Sequence, residues 1–354
     1  MKARLKDIAE ATGFSVNTVS HALRDMQDIS PATKEVIRQA AQELGYIPNL
    51  QASSIKSGKS HIVSIILPDI TNPHFTIVFR EIEEFFRKVG ITPFFMNTNE
   101  NVEEELNAVR LSIGQNVDGV ILCPTQISTE SIRILKNSRI PFVLIGRRFS
   151  PEEVTNYVVC DDTTGALLAT QHLLSLGHRN IAYIKTNDHI SSDAERFAGY
   201  RRALEEAEVP FDPALILQLP PTGNSTDMIH RFLTEHPDCT AVLAFSDILA
   251  FAVIRELLAT GKSVPGDVSV MGFDNICSDY TFPIPLSSVS VSKKNMAQTA
   301  CEILFELMHS TQSTQAPKEI VLPTQLFLRQ TTAAPATSAM PHVSRLIKPK
   351  MEVT

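Results

Sequence analysis

No two cysteines of this chain lie close in sequence. Cys123, Cys160, Cys239, Cys277 and Cys301 are odd in number, and none belongs to a CxxC unit. That excludes a disulfide framework and the usual zinc spacing, leaving the cysteines as small core residues. The ten histidines contain no HExxH pair, so no metal is expected. No apolar run approaches the ~18 residues of a membrane span, so no membrane partner is expected. MKARLKDIAE, the first ten residues, lacks the apolar stretch of a secretory leader, and a cytoplasmic location is expected. Phosphate loops of the GxxxxGK[ST] or GxGxxG type and a GxSxG elbow are missing too. Neither enzymatic activity nor a cofactor is expected.

What is present reads as a globular chain of two or three domains. Its 354 residues are 43% hydrophobic and 20% charged, too long for one ordinary core. The net charge of −7 is unevenly spread. Residues 1–60 carry eight Lys and Arg against six Asp and Glu, whereas the remainder carries 24 against 33. A slightly positive segment on an acidic body suits a small module that approaches phosphate while the body stays back.

That segment reads as three short helices. Leu5, Ile8 and Ala9 share one helical face before Gly13 breaks the pattern. Ser15 can cap a second helix, on which Val19, Ala22 and Leu23 repeat the spacing. A third helix starts at SPATKEVIRQAAQELGY, with Ser30 at the cap, Pro31 in the first turn and Gly45 at the end. The second helix carries too few apolar residues for a core helix. Its outer face holds Val16, Asn17, Ser20 and His21, as a helix in the major groove of DNA requires. Asn bonds adenine bidentately, His donates to guanine, and Val touches a thymine methyl. Ser15, Thr18 and Ser20 can reach phosphates, which set register without reading sequence. A polar solvated helix in a small bundle is the plainer alternative.

Residues 46–60 are linker-like, with Pro48 stopping the third helix. From residue 61, apolar runs alternate with helical stretches. The runs are 62–68, 92–97, 118–123, 140–146, 180–185, 240–245 and 267–273. Helical stretches include 74–89, 102–115, 164–177, 195–207, 225–235 and 247–261. Strands apolar on both faces suit buried parallel sheet, so the fold class is α/β behind an all-α head. More than 250 residues of this texture favours two similar lobes. From Thr332 the chain is rich in Ala, Pro, Ser and Thr and reads as a mostly disordered tail, 332–354.

LKDIAEATGFSVNTVSHAL followed by SPATKEVIRQAAQELGYIPN resembles the amino-terminal domain of the lactose-repressor/galactose-repressor (LacI/GalR) family of bacterial transcription regulators. The match runs without gaps from Leu5 to Asn49 and includes Phe14-Ser15-Val16-Asn17-Thr18-Val19-Ser20 and the Gly-Tyr-x-Pro-Asn ending. The resemblance extends over about residues 2–331. It implies a helix-turn-helix domain (1–48), a hinge (49–60) and a periplasmic-binding-protein-like body (61–331). The first lobe would take about 61–160 and 292–322, the second about 161–291 and 323–331. The implied base readers are Val16, Asn17 and His21. Phosphate positions fall on Ser15, Thr18, Ser20, Thr33, Tyr46 and Asn49. Arg24 stands where the family often has Asn and would add a phosphate contact. Ile55 takes the minor-groove wedge position, where the usual Ala-Arg-x-Leu reads Ala52-Ser53-Ser54-Ile55. The missing arginine removes a cation near phosphate, and the β-branched wedge is stiffer at χ1.

The same resemblance implies a ligand cleft between the lobes. Asn72, Phe75, Arg196, Ser246, Asp247 and Asp274 fall on its effector positions. Where many relatives have Asp-Arg after the 140–145 strand, this chain has Gly146-Arg147-Arg148. Arg147 could admit a negatively charged ligand, or both arginines could be solvated loop charges. Arg196 and Asp274 suit vicinal hydroxyls, because each makes paired hydrogen bonds. The expected partners are a pseudo-palindromic operator in double-stranded DNA, a sugar or sugar phosphate, and a second copy in a homodimer. When bound to its operator the protein would be nucleoid-associated. The tail has no leucine heptad, so no tetramer bundle is expected. The expected role is a repressor of a carbohydrate-utilisation operon. Regulation by a partner protein or a nucleobase-like corepressor, and a solute-binding protein, are the alternatives; activation rather than repression stays open.

Overall fold

The computed structural model describes residues 3–47, 58–149, 153–186, 189–220, 225–278, 283–290, 292–310 and 316–336. The chain divides into two compact units, Met1–Ser60 and His61–Thr354. In the first, α1 (Leu5–Thr12), α2 (Val16–Leu23) and α3 (Pro31–Glu43) surround Ile8, Val19, Ala22 and Ile37, all fully buried. Gly13 ends α1 at φ 75°, a left-handed position where a side chain would strain the backbone.

The second unit contains two six-stranded sheets. One runs in the order β11-β5-β4-β3-β1-β2, and all its pairs are parallel. Its strands are β1 (Ile62–Leu67), β2 (Thr92–Asn97), β3 (Gly119–Leu122), β4 (Phe142–Ile145), β5 (Tyr157–Cys160) and β11 (Glu319–Leu322). The other sheet runs β12-β10-β9-β8-β6-β7, with only β12 antiparallel. It contains β6 (Ile181–Lys185), β7 (Ile216–Gln218), β8 (Ala241–Ala244), β9 (Ser269–Phe273), β10 (Ser287–Ser290) and β12 (Gln325–Phe327). The chain passes from the first sheet to the second after β5, returns after β10, and crosses again between β11 and β12. Each sheet with its helices forms a lobe.

Layered helices cover both sheets. They are α4 (Pro73–Lys88), α5 (Val102–Gly114), α6 (Glu130–Ser138), α7 (Asp162–Ser175), α8 (Ser191–Glu206), α9 (Ser225–Glu235), α10 (Asp247–Ala259) and α11 (Lys293–His309). β1 is buried on both faces: Val63, Ile65 and Leu67 pack with Val78, Ile82 and Phe86 of α4, while Ile66 packs with Val109 and Leu122. A strand enclosed on both faces needs an unbroken apolar run, which is why IVSIIL shows no alternation. α7 and α8 approach closely at Gly199, where an added Cβ would stand 2.2 Å from the Thr163 carbonyl oxygen.

The start of the expected disordered tail needs correcting. Residues 332–336 lie along the second lobe. Ala333 N–H donates to Ser269 Oγ at 3.0 Å, and the Ala333 carbonyl faces His178 Nε2 at 2.8 Å. The buried polar groups of His178 and Ser269 give this stretch partners despite its low-complexity composition. The rest of the expected tail, 337–354, is outside the described residues, as are Pro48, Asn49, Ala52 and Ile55.

Candidate functional site

Two places gather the candidate residues. In the first unit, α2 turns Val19 and Ala22 into the core and leaves Val16 (45% exposed) and Asn17 outward. Ser20, His21 and Thr18 are half-buried. Ser15 caps α2: its Oγ accepts from the Thr18 N–H at 3.0 Å, and the two hydroxyls meet at 2.8 Å. Ser30 and Thr33 repeat this arrangement at the start of α3. Two candidate phosphate positions, Ser15 and Thr33, therefore lie at capped helix starts, whose free N–H groups favour anions. Tyr46 packs against the unit's small core. Arg24 curls back on its own helix, Nε donating to the Ser20 carbonyl at 3.1 Å. His21 Nδ1 lies 2.7 Å from Asp28 Oδ2, and that hydrogen bond holds the Asp28 carboxyl below its usual range.

In the second unit, a cavity of about 350 Å³ is lined by residues of both lobes. Its walls come from the carboxyl ends of parallel strands, where open α/β sheets leave a crevice. Asn72 and Phe75 follow β1, Arg147 follows β4, Ser246 follows β8 and Asp274 follows β9. Arg196 joins them from α8. Asn72 Oδ1 caps α4 by accepting from the His74 N–H at 3.0 Å, which leaves its side-chain Nδ2 for a ligand. Ser246 Oγ caps α10, accepting from the Leu249 N–H at 3.3 Å.

Arg196 anchors the second-lobe wall. Nε donates to Asp162 Oδ1 at 2.8 Å, Nη1 to the Phe245 carbonyl at 2.5 Å, and Nη2 reaches toward Asp274 Oδ1 at 3.5 Å. Its guanidinium lies 3.6 Å from the Phe273 ring centroid and 4.6 Å from that of Phe245. Such stacking suits arginine's flat, weakly hydrated head. Burial pushes the Asp162 carboxyl up to about 6, while Arg196 pulls it back. Asp274 has φ 101°, an unusual conformation for a residue with a Cβ. Lys293 Nζ donates to the carbonyls of Asp274 and Asn275 at 2.8 and 3.2 Å, and so pins that strained turn.

Two expectations change here. Asp247 is fully buried and does not line the cavity. Its oxygens accept from Ser288 Oγ at 2.6 Å and the Ile276 N–H at 2.7 Å, because the first residue of α10 points into the second-lobe core. Burial, with the Asp274 charge beside it, pushes its carboxyl up to about 7. Of the two loop arginines, Arg148 pairs with Glu195 at 2.8 Å outside the cavity lining. Arg147 does line the cavity, but its fork is filled by Glu100 at 2.6 and 2.8 Å and by the Pro124 carbonyl at 3.0 Å.

His74 and Glu100 are lining residues that sequence reasoning missed. His74 sits inside the DITNPHF segment, between Asn72 and Phe75, and that neighbourhood was the available signal. Its Nδ1 is buried without a hydrogen-bond partner, 3.7 Å from Asp274 Oδ1. Burial pushes the imidazole down to about 4, although Asp274 opposes this, so the ring is neutral near pH 7. Glu100 has no local signal, since only the fold brings it to Arg147.

Comparison with known proteins covers both places. The profile described as "Bacterial regulatory proteins, lacI family" matches residues 4–49, and that of a "Periplasmic binding protein-like domain" matches 170–332. The HTH-type transcriptional regulator DegA of Bacillus subtilis (strain 168) is 31% identical over 337 residues, 94% of this chain and 99% of that protein. The HTH-type transcriptional repressor PurR of Aliivibrio fischeri (strain MJ11) is 30% identical over 86% of this chain and 91% of its own length. Among solved structures, a complex of the transcriptional regulator CelR with cellobiose superposes at TM-score 0.69. It is 28% identical and covers 93% of this chain and all of the other. An Enterococcus faecium LacI family regulator with bound ribose gives TM-score 0.66 at 29% identity, covering 77% of this chain and 99% of its own. These relatives are transcriptional regulators and not enzymes, in keeping with the expectation from the sequence.

Proposed function

Because the chain belongs to the lacI family of bacterial regulatory proteins, we propose that this DNA-binding regulator is a repressor released from its operator by a neutral, polyhydroxylated small molecule held in the cleft. One observation carries the choice of ligand: the arginines on the cavity wall are already paired with carboxylates within the protein. Arg147 is matched by Glu100, and Arg196 by Asp162 and Asp274, with Asp69 also on the wall. Among the described lining residues, a phosphorylated sugar would find no open cation. Neutral hydroxyls would find the Asn72 amide, His74 Nδ1 and the Asp274 carboxylate, against the aromatic face of Phe75. Cellobiose and ribose in the solved relatives agree with that chemistry.

On this reading Val16, Asn17 and His21 meet base edges, and Ser15, Thr18, Ser20, Thr33, Tyr46 and Asn49 meet phosphates. The segment with Ala52 and Ile55 wedges the minor groove. Two copies act together, because a pseudo-palindromic site repeats the same half-site about a two-fold axis. Ligand and DNA oppose each other by the same factor in both directions.

Calorimetric titration tests the ligand. Neutral mono- and disaccharides, their phosphates and purine bases are compared on the wild type and on Asn72→Ala. A neutral sugar that binds the wild type and binds the variant at least tenfold more weakly is the expected result. Binding confined to phosphates or bases would overturn the neutral-sugar reading.

A further inference from the structure

Asp28 is a carboxylate beside the proposed DNA-reading face, where a negative charge repels phosphate. Its neighbour Asp25 is neutralised twice, by Lys34 at 3.0 Å and Arg38 at 2.7 Å. Among the described residues, the hydrogen-bond partner of the Asp28 side chain is His21, at 2.7 Å. We propose that Asp28 is a specificity-determining positioning residue, which fixes which ring nitrogen of His21 meets a base. This rests on the reading of His21 as a base contact.

The chemistry follows from donor and acceptor counts. A carboxylate is acceptor-only, so at 2.7 Å the proton between the two groups belongs to His21 Nδ1. The tautomer is thereby set, and the ring's two rotational placements are no longer equivalent. Nε2 has no partner among the described residues and becomes the reading atom. Without Asp28, either nitrogen could face the groove with or without its proton. The ring could then suit several base edges in turn.

The loop that carries Asp28 is built to hold it still. Asp25, at φ 58°, is tied to α3 by Lys34 and Arg38, and Lys34 Nζ also donates to the Asp25 carbonyl at 3.1 Å. Ile29 packs on the unit's core, and Ser30 caps α3. Asp28 is therefore fixed between two anchored points. The His21 side chain, only 24% exposed, is clamped by its own helix on one side and by this loop on the other.

The test uses the full chain and a panel of duplexes. A pool of random 30-bp duplexes, selected at one fixed salt concentration, supplies a preferred site. Each position of one half-site is then changed to all four base pairs, and affinities are measured by fluorescence anisotropy. His21→Ala locates the base pair at which discrimination is lost. At that same pair, Asp28→Ala is expected to cut discrimination roughly tenfold, the size of one good base contact, and Asp28→Asn, whose amide oxygen still accepts from Nδ1–H, to cut it less. Binding to changes at other positions should be unaffected. In the His21→Ala background, Asp28→Ala should change no base preference, because Asp28 acts only through the ring. If Asp28→Ala weakens all duplexes equally while His21→Ala is selective, Asp28 is structural, and the proposal falls while the base role of His21 stands. If His21→Ala is itself uniform across base pairs, both fall. Circular dichroism of each variant separates these outcomes from unfolding, and the isosteric Asp28→Asn retains the shape of the site.

Discussion

Both carboxylate oxygens of Asp247 have exchanged water for the Ser288 hydroxyl and the Ile276 N–H. Burial still leaves its carboxyl at about 7, against an ordinary 3.8. A carboxyl raised on folding keeps its proton longer in the folded state. Between about pH 4 and pH 7 the folded protein thus holds more protons at this site, and stability falls as pH rises through that window. Asp162, raised to about 6, adds to the same trend. His74 opposes it: a histidine lowered to about 4 contributes stability above pH 6.5 that is lost as pH falls toward 4. Asp247→Asn cannot ionise. Urea unfolding at pH 5 and pH 7.5 should show the wild type losing stability relative to Asp247→Asn at the higher pH. Parallel behaviour of the two proteins would mean that Asp247 is ionised across the range. Sequence position misleads at this residue: one after a strand end reads as cleft-facing, but the first turn of α10 directs Asp247 inward.

Elements enclosed on both faces were the most legible. β1, β3, β8 and β9 announce themselves as apolar runs because burial on both faces demands them. β10 escaped notice because its sequence is SSVS; its buried serines are satisfied by Thr331, Thr332 and Asp247 from distant segments. β11 and β12 are edge strands with exposed alternate residues, too short for a pattern. Helix packing was equally hidden. Gly199 reads as an ordinary residue of a polar helix, yet it is where α8 meets α7. Gly199→Ala is expected to destabilise the second unit by ~1–3 kcal/mol, because backbone on the facing helix cannot yield as a side chain can. A thermal melt should record a lower Tm. An unchanged Tm would mean that the two helices separate freely. For the candidate cleft, Asn72, Phe75, Arg147, Arg196, Ser246 and Asp274 could be read from resemblance; His74 had only its place between Asn72 and Phe75 as a signal, and Glu100 needed the fold.

Charge is divided across the whole molecule. The first 60 residues are slightly positive and the remainder is acidic, a division that favours approach to phosphate by the small unit. None of the described helices is long and apolar enough to cross a membrane. The proposed work is divided between the two units: α2 carries the side chains proposed to read bases in one, and a cavity whose arginines are paired within the protein offers hydrogen bonds to neutral groups in the other. Sequence-specific reading of DNA by α2 is the central claim. Its most direct measurement is a binding selection on genomic fragments at one fixed, near-physiological salt concentration, run with the wild type and with a Val16→Ala, Asn17→Ala double variant. The account predicts a pseudo-palindromic motif for the wild type, with altered or lost base preference in the variant. Enrichment of the same motif by both proteins would contradict it, because α2 would then hold DNA without reading it.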